Sequence, residues 1–162
     1  MKTLRTYIIG SPMDLVKRHG RDILDDPRFL ALRENRHHGH TTTYDHCLHV
    51  TLIALQIAKE KSIKVDVRSL VRGSLLHDYY CYDNDHKPKK HLRTHGQLAA
   101  KNAERDFGIN GVEHDVICNH MWPIHPFLSP LTREGWLCCL ADKIASCREY
   151  FGNTLEKQMS AH

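Results

Sequence analysis

Apolar residues recur at helical spacing along most of the chain. The clearest run is Val50, Ile53, Ala54, Ile57 and Ala58, one stripe of a helix over roughly 44–61 that Thr43 can cap. Leu48, Leu52 and Leu55 fill its other side, so this helix is expected to be buried nearly all round. Leu70, Val71, Leu75 and Leu76 mark a second helix, capped by Asp66 and running into His77-Asp78. Ala99, Ala100, Ala103 and Phe107 mark a third, from Thr94 to a terminating Gly108. Val112, Val116 and Ile117 predict a short helix over 112–120. Thr132 opens a last one through Trp136, Leu137, Leu140, Ile144 and Phe151. Nearer the N-terminus, Ser11-Pro12 and Asp26-Pro27 are helix-start signals, and Asp14 suggests a capping box with Ser11. The segments 36–43 and 83–90 are polar and without period, and 122–130 carries three prolines, so all three read as loops. No strand pair is predicted. The expected fold is all-α, with about six or seven helices.

Composition changes this picture in one respect. The 162 residues suit a single domain, and 41% hydrophobic with 26% charged is ordinary for a soluble chain. Histidine is the exception, with 14 residues. Imidazole is the commonest metal ligand and titrates near neutrality, so a metal site is the first hypothesis. A net charge of +4 suits an anionic small molecule and falls short of a nucleic-acid binder's concentrated basic stripe. The densest basic patch is Lys87-Pro88-Lys89-Lys90. No apolar stretch approaches the ~20 residues of a membrane span, and Tyr7-Ile8-Ile9 is too short for a secretion signal. A cytoplasmic protein is expected. The six cysteines form no C-x-x-C pair and read as reduced, structural residues.

His77-Asp78 is the most informative pair, because imidazole and carboxylate together can bind one borderline metal or bridge two. His46 lies on the same stripe as Val50 and Ile53, and a histidine facing a core needs partners for its nitrogens. Asp142 stands in the middle of an apolar helix, within Leu140-Ala141-Asp142-Lys143-Ile144, where an unpaired carboxylate is costly. A metal would neutralise it. A buried salt bridge, with Arg148 or a neighbour of Lys143, is the competing account.

The order His46, His77-Asp78, Asp142 resembles the signature of the HD-domain metal-dependent phosphohydrolase superfamily. Three segments carry the likeness: Asp45-His46-Cys47-Leu48-His49-Val50, Ser74-Leu75-Leu76-His77-Asp78-Tyr79 and Leu140-Ala141-Asp142-Lys143-Ile144. The resemblance implies a single HD domain over 1–162, its core about 43–151 with the N-terminal helices and loop of 1–42 packing on it, and His46, His77, Asp78 and Asp142 holding a first metal. Thr94-His95-Gly96 and Ile117-Cys118-Asn119-His120 are similar to the two-metal members. There His95 and His120 would hold a second ion, with Asp78 bridging. The stretch 95–148 looks most like bacterial hydrolases of diadenosine polyphosphates and like small uncharacterised members with a His-Met-Trp-Pro segment. The implied activity is hydrolysis of a nucleotide or other small phosphate ester by a metal-bridging hydroxide, with His77 and Asp78 at the catalytic centre.

The ligand set has no thiolate, which favours iron or manganese, with zinc, cobalt or nickel as further candidates. Many relatives place a phosphate-binding lysine three residues after the dyad's Asp, but Cys81 stands here. Lys87, Lys89, Lys90, Arg93 and Arg148 are the candidate replacements, Arg148 matching an arginine of the diadenosine-polyphosphate group. His49 is a candidate neighbour of the site and His125 of its mouth. Trp122 and Phe127 are candidates for stacking on a base or for pinning their loop. The expected partner is a small phosphate substrate, with no membrane and no specific nucleic acid, and a homodimer is compatible with the reading. Two alternatives stay open: a di-iron oxygenase using the same six ligands, and a non-catalytic nucleotide-binding sensor.

Overall fold

The computed structural model describes residues 4–36, 41–80 and 94–159, with side chains of the last helix described as far as Gly152. Among these residues the helices are α1 (Pro12–His19), α2 (Arg21–Leu24), α3 (Pro27–Leu30), α4 (Thr43–Glu60), α5 (Val67–Leu76), α6 (His95–Phe107), α7 (Gly111–Asn119) and α8 (Arg133–Met159). A 3-10 turn, Ala31–Glu34, follows α3. Strand pairing among the described residues is limited to the isolated bridges Thr6 with Val65 and Arg36 with Thr42. The all-α expectation therefore holds, with the N-terminal region cut into shorter pieces than its start signals suggested.

Local chemistry explains most helix ends. Asp26 accepts from the Arg28 amide at 2.8 Å to start α3. Asp66 accepts from the Ser69 amide at 3.2 Å to start α5. Thr42, not Thr43, caps α4, accepting from the Asp45 amide at 3.1 Å. Its neighbour Thr43 is buried, with its hydroxyl turned to the Asn35 carbonyl. Ser11 occupies the N-cap position of α1, but no side-chain cap forms, so the box with Asp14 is absent and Pro12 starts the helix. Asn110 and Glu113 form a reciprocal capping box on α7. Gly108, at φ 57°, ends α6 where an L side chain would be strained.

The start of α8 is held from a distance. The buried Asp115 of α7 accepts from the amides of Leu131 (3.0 Å) and Thr132 (2.9 Å) and from the Thr132 hydroxyl (2.6 Å). Thr132 in turn accepts from the Gly135 amide at 2.9 Å. One carboxylate thus satisfies donors that precede the helix and locks α7 to α8.

Helix α4 lies between α5 and α8, and α7 closes the other side of α5. The core contains Val50, Ala54, Leu55, Leu70, Leu75, Val116 and Ile117. The expectation that α4 is buried all round is corrected. His49, Gln56, Lys59 and Glu60 are exposed, and Leu52 and Ile53 are only partly covered. On α8 the large apolar residues divide, with Leu137 buried in the core and others turned outward. Trp136 and Leu140 are 44% and 50% exposed, whereas Cys138, Ala141 and Ala145 are buried against the core. Small residues there let α8 approach α4 closely and bring the Asp142 side of the helix inward.

Candidate metal centre

Six side chains from five helices or their ends converge. His46 lies one turn into α4, on the stripe that also buries Cys47, Val50 and Ala54. His77 and Asp78 follow the last turn of α5, and His120 follows that of α7. His95 is the first residue of α6. Asp142 sits on the inward face of α8 beside Cys138, Ala141 and Ala145. His46 and His77 are fully buried, His120 is 1% exposed and Asp142 9%. The cation beside Asp142 is neither Arg148 nor a neighbour of Lys143 but Lys143 itself, whose Nζ reaches Asp142 Oδ2 at 3.4 Å. That nitrogen also donates to the His120 carbonyl at 2.8 Å, so Lys143 ties two members of the cluster together.

Asp78 stands at the centre. Its Oδ2 lies 3.6 Å from His77 Nε2 and 3.9 Å from His46 Nε2. Its Oδ1 lies 3.4 Å from His95 Nε2 and 3.6 Å from His120 Nε2. The two oxygens of one carboxylate therefore face two different groups of rings. Asp142 Oδ1 joins the first group, at 3.1 Å from His46 Nε2 and 4.0 Å from His77 Nε2. His95 and His120 bring their Nε2 atoms to 2.9 Å of each other.

The outer nitrogens explain the ring orientations. His77 Nδ1 donates to the Ser74 carbonyl at 2.8 Å, and His120 Nδ1 to the Ile117 carbonyl at 2.7 Å. Both bonds place the proton on Nδ1 and leave the Nε2 lone pair pointing into the cluster, as metal-ligating histidines require. His77 Nε2 is buried with no hydrogen-bond partner, an expense that a bound cation would remove. Two overlapping groups, His46-His77-Asp142 and His77-Asp78-His120, each bring three ligand atoms within 4.8 Å of one another. The donors fit a divalent ion.

Electrostatics sharpen the picture. Burial alone would lower the His46 imidazole, but its bonds to Asp142 and Glu149 outweigh that and raise it to about 10. Burial pushes His77 down, and pushes His120 down to about 3 with the His77 ring adding to the effect. Burial would raise the Asp142 carboxyl, yet the hydrogen bond from His46 and the nearby rings leave it well below the usual carboxylate range. In the metal-free protein His46 therefore holds a proton, and an incoming cation must displace it.

Sequence reasoning overlooked Glu149. Its carboxylate meets His46 Nδ1 at 3.0 Å and His49 Nδ1 at 3.3 Å, and its side chain is 6% exposed. The available signal was its position, two helical turns after Asp142 on the same face of α8.

Arg148 is exposed and lies about 120° around the helix from Asp142 at 100° per residue, so α8 directs it away from the cluster. Lys87, Lys90 and Arg93, with Lys89 and Cys81, lie outside the described residues. His49 joins the site indirectly, through Glu149. His125 lies in the loop after α7, its Nδ1 buried without a hydrogen-bond partner. Trp122 packs edge-on against Trp136 at 4.9 Å, which pins that loop to α8, while Phe127 is 91% exposed.

Among the described residues, no helix is long and apolar enough to cross a membrane. Comparison with curated proteins and with solved structures returned no match. Comparison with protein families matched the HD domain over residues 43–147. That span opens with α4 and runs past Asp142, taking in all six converging side chains, and on this match the chain belongs to the HD-domain family, whose members are mostly metal-dependent phosphohydrolases.

Proposed function

We propose that the protein is a metal-dependent phosphohydrolase acting on a small phosphate ester, with nucleotides as the favoured substrate class. The observation that carries this reading is Asp78, whose two oxygens face two separate sets of imidazole nitrogens. His46, His77, Asp78 and Asp142 would hold one divalent ion. His95 and His120 would hold a second, with Asp78 shared between them. The ligand set of nitrogen and carboxylate oxygen, without thiolate, favours iron or manganese. When bound, such ions supply an acidified water as nucleophile and stabilise charge developing on phosphoryl oxygens.

The chain's own residues do the remaining work. Ser74 and Ile117 carbonyls fix the His77 and His120 rings, so their Nε2 atoms need no reorganisation on binding. Lys143 holds Asp142 and the His120 backbone in register. Burial of the cluster keeps its carboxylates in a low-dielectric setting, where their interaction with a cation is strong.

The test is phosphate release from mononucleotides, dinucleoside polyphosphates and sugar phosphates, assayed with and without added Mn2+ or Fe2+ and in the absence of oxygen. Hydrolysis should require the metal and be abolished in Asp78→Ala with helical content retained. Turnover surviving in that variant contradicts the reading. Substrate conversion that occurs only with oxygen would reassign the site to oxidation.

A further inference from the structure

We propose that Glu149 is a positioning residue of the metal centre, holding the His46 ring by its outer Nδ1 proton so that Nε2, which faces Asp78 and Asp142, is the nitrogen offered to a cation. This rests on the metal-binding reading above and concerns one ligand within it. His46, His77 and His120 each have an outer partner at Nδ1. His77 and His120 use backbone carbonyls, whereas His46 uses a carboxylate, with Oε2 at 3.0 Å and Oε1 at 3.2 Å. A carboxylate partner fixes the tautomer as a carbonyl does and also makes the opposite nitrogen a stronger donor.

The arrangement is built rather than incidental. Glu149 is almost fully buried and reaches across from α8 to α4, more than 100 residues away in sequence. It bridges His46 and His49, which stand one turn apart on α4, so the carboxylate is itself held from two sides. Asp142 and Glu149 then lie two turns apart on one face of α8, the first on the inner nitrogen of His46 and the second on the outer one. The ring is clamped between two carboxylates of a single helix. Because Glu149 meets the six residues through His46, its loss should affect the ion held by His46, His77 and Asp142 more than the ion held by His95 and His120.

The experiment is Mn2+ titration of metal-free protein, followed by calorimetry and by competition with a chelator, for wild type, Glu149→Gln, Glu149→Ala and His49→Ala. Far-UV circular dichroism checks that each variant remains helical, and Glu149→Gln preserves the packing if Glu149→Ala does not fold. The expected result is two ions on the wild type. One of the two sites should weaken by about 10–100-fold in the Glu149 variants. His49→Ala, which removes one of the two residues holding the carboxylate but leaves the Glu149–His46 bond in place, should weaken the same site by less than the Glu149 variants do. Wild-type affinity at both sites in Glu149→Gln and in any folded Glu149→Ala overturns the proposal. Equal weakening of both sites also overturns it. A wild type that binds no ion refutes the metal-binding reading itself, so the two failures are distinguishable.

Discussion

Gly96 tests whether the cluster depends on the close approach of α6 to α7. A Cβ built at Gly96 would lie 2.8 Å from the Cys118 carbonyl oxygen and 3.1 Å from the Ile117 carbonyl oxygen. Both are backbone atoms and cannot rotate away, so the helices must separate by several tenths of an ångström. Overpacking of this kind costs about 1–3 kcal/mol. Against it stands the helix preference of alanine over glycine, at most about 1 kcal/mol and less near a helix start. The clash wins, and Gly96→Ala should lose about 1–2 kcal/mol. For a chain of this size that is a fall of roughly 2–8 °C in the unfolding midpoint. The functional consequence is more specific. The Ile117 oxygen that the new methyl would push is the one that receives His120 Nδ1, and Gly96 adjoins His95. Binding of the second ion should therefore weaken while binding of the first persists. The assay is thermal unfolding of the metal-free protein together with Mn2+ stoichiometry. Gly152→Ala, where the added methyl meets nothing within 4 Å, serves as control and should be neutral or stabilising. A Gly96→Ala protein that unfolds at or above the wild-type temperature and binds both ions normally would refute the packing argument.

Two further predictions concern stability. Asp115→Ala removes the acceptor of the Leu131 and Thr132 amides at the start of α8 and should cost about 3 kcal/mol, or roughly 6–12 °C by calorimetry; a loss below 1 kcal/mol would show that α8 does not depend on this anchor. For the metal-free protein, stability should peak near the ordinary histidine pKa of 6.5. Below that pH the unfolded chain takes up protons that the depressed His77 and His120 refuse, so stability falls as the solution becomes acid. Above it, the stabilisation from His46 is lost progressively as pH rises toward about 10. Each group sets a limiting slope of about 1.4 kcal/mol per pH unit. Metal loading should abolish the alkaline decline, because the ion requires a deprotonated His46. Denaturant titrations across pH 5–9 measure both arms, and a profile that rises steadily through this range without metal would contradict the assignment.

The parts of this protein that were legible in its sequence are those where periodicity and polarity conflict. His46 and Asp142 each interrupt an apolar stripe, and that conflict pointed inward. Periodicity is silent at helix ends, so His95 and His120 emerged only from the resemblance to a known family. The faces of α8 were harder. Its bulky Trp136, Leu140 and Phe151 advertise a helix but remain exposed, while the contact is made by Leu137 with the small Cys138, Ala141 and Ala145, which permit close approach. Glu149, next to Arg148 and Tyr150, has the look of a surface residue, and only its spacing from Asp142 tells otherwise. Arg148 shows the reverse case: its chemistry suits phosphate, but it is exposed and stands about 120° around the helix from Asp142. The short α2 escaped notice because four residues cannot display a period.

The metal centre is tested most directly by the number of ions the protein holds. Elemental analysis of protein purified without a chelating tag, together with saturation of the metal-free form by Mn2+, measures that number. Two divalent ions per chain are predicted, falling in Asp78→Ala. One ion would contradict the roles given to His95 and His120, and none would contradict the metal centre altogether.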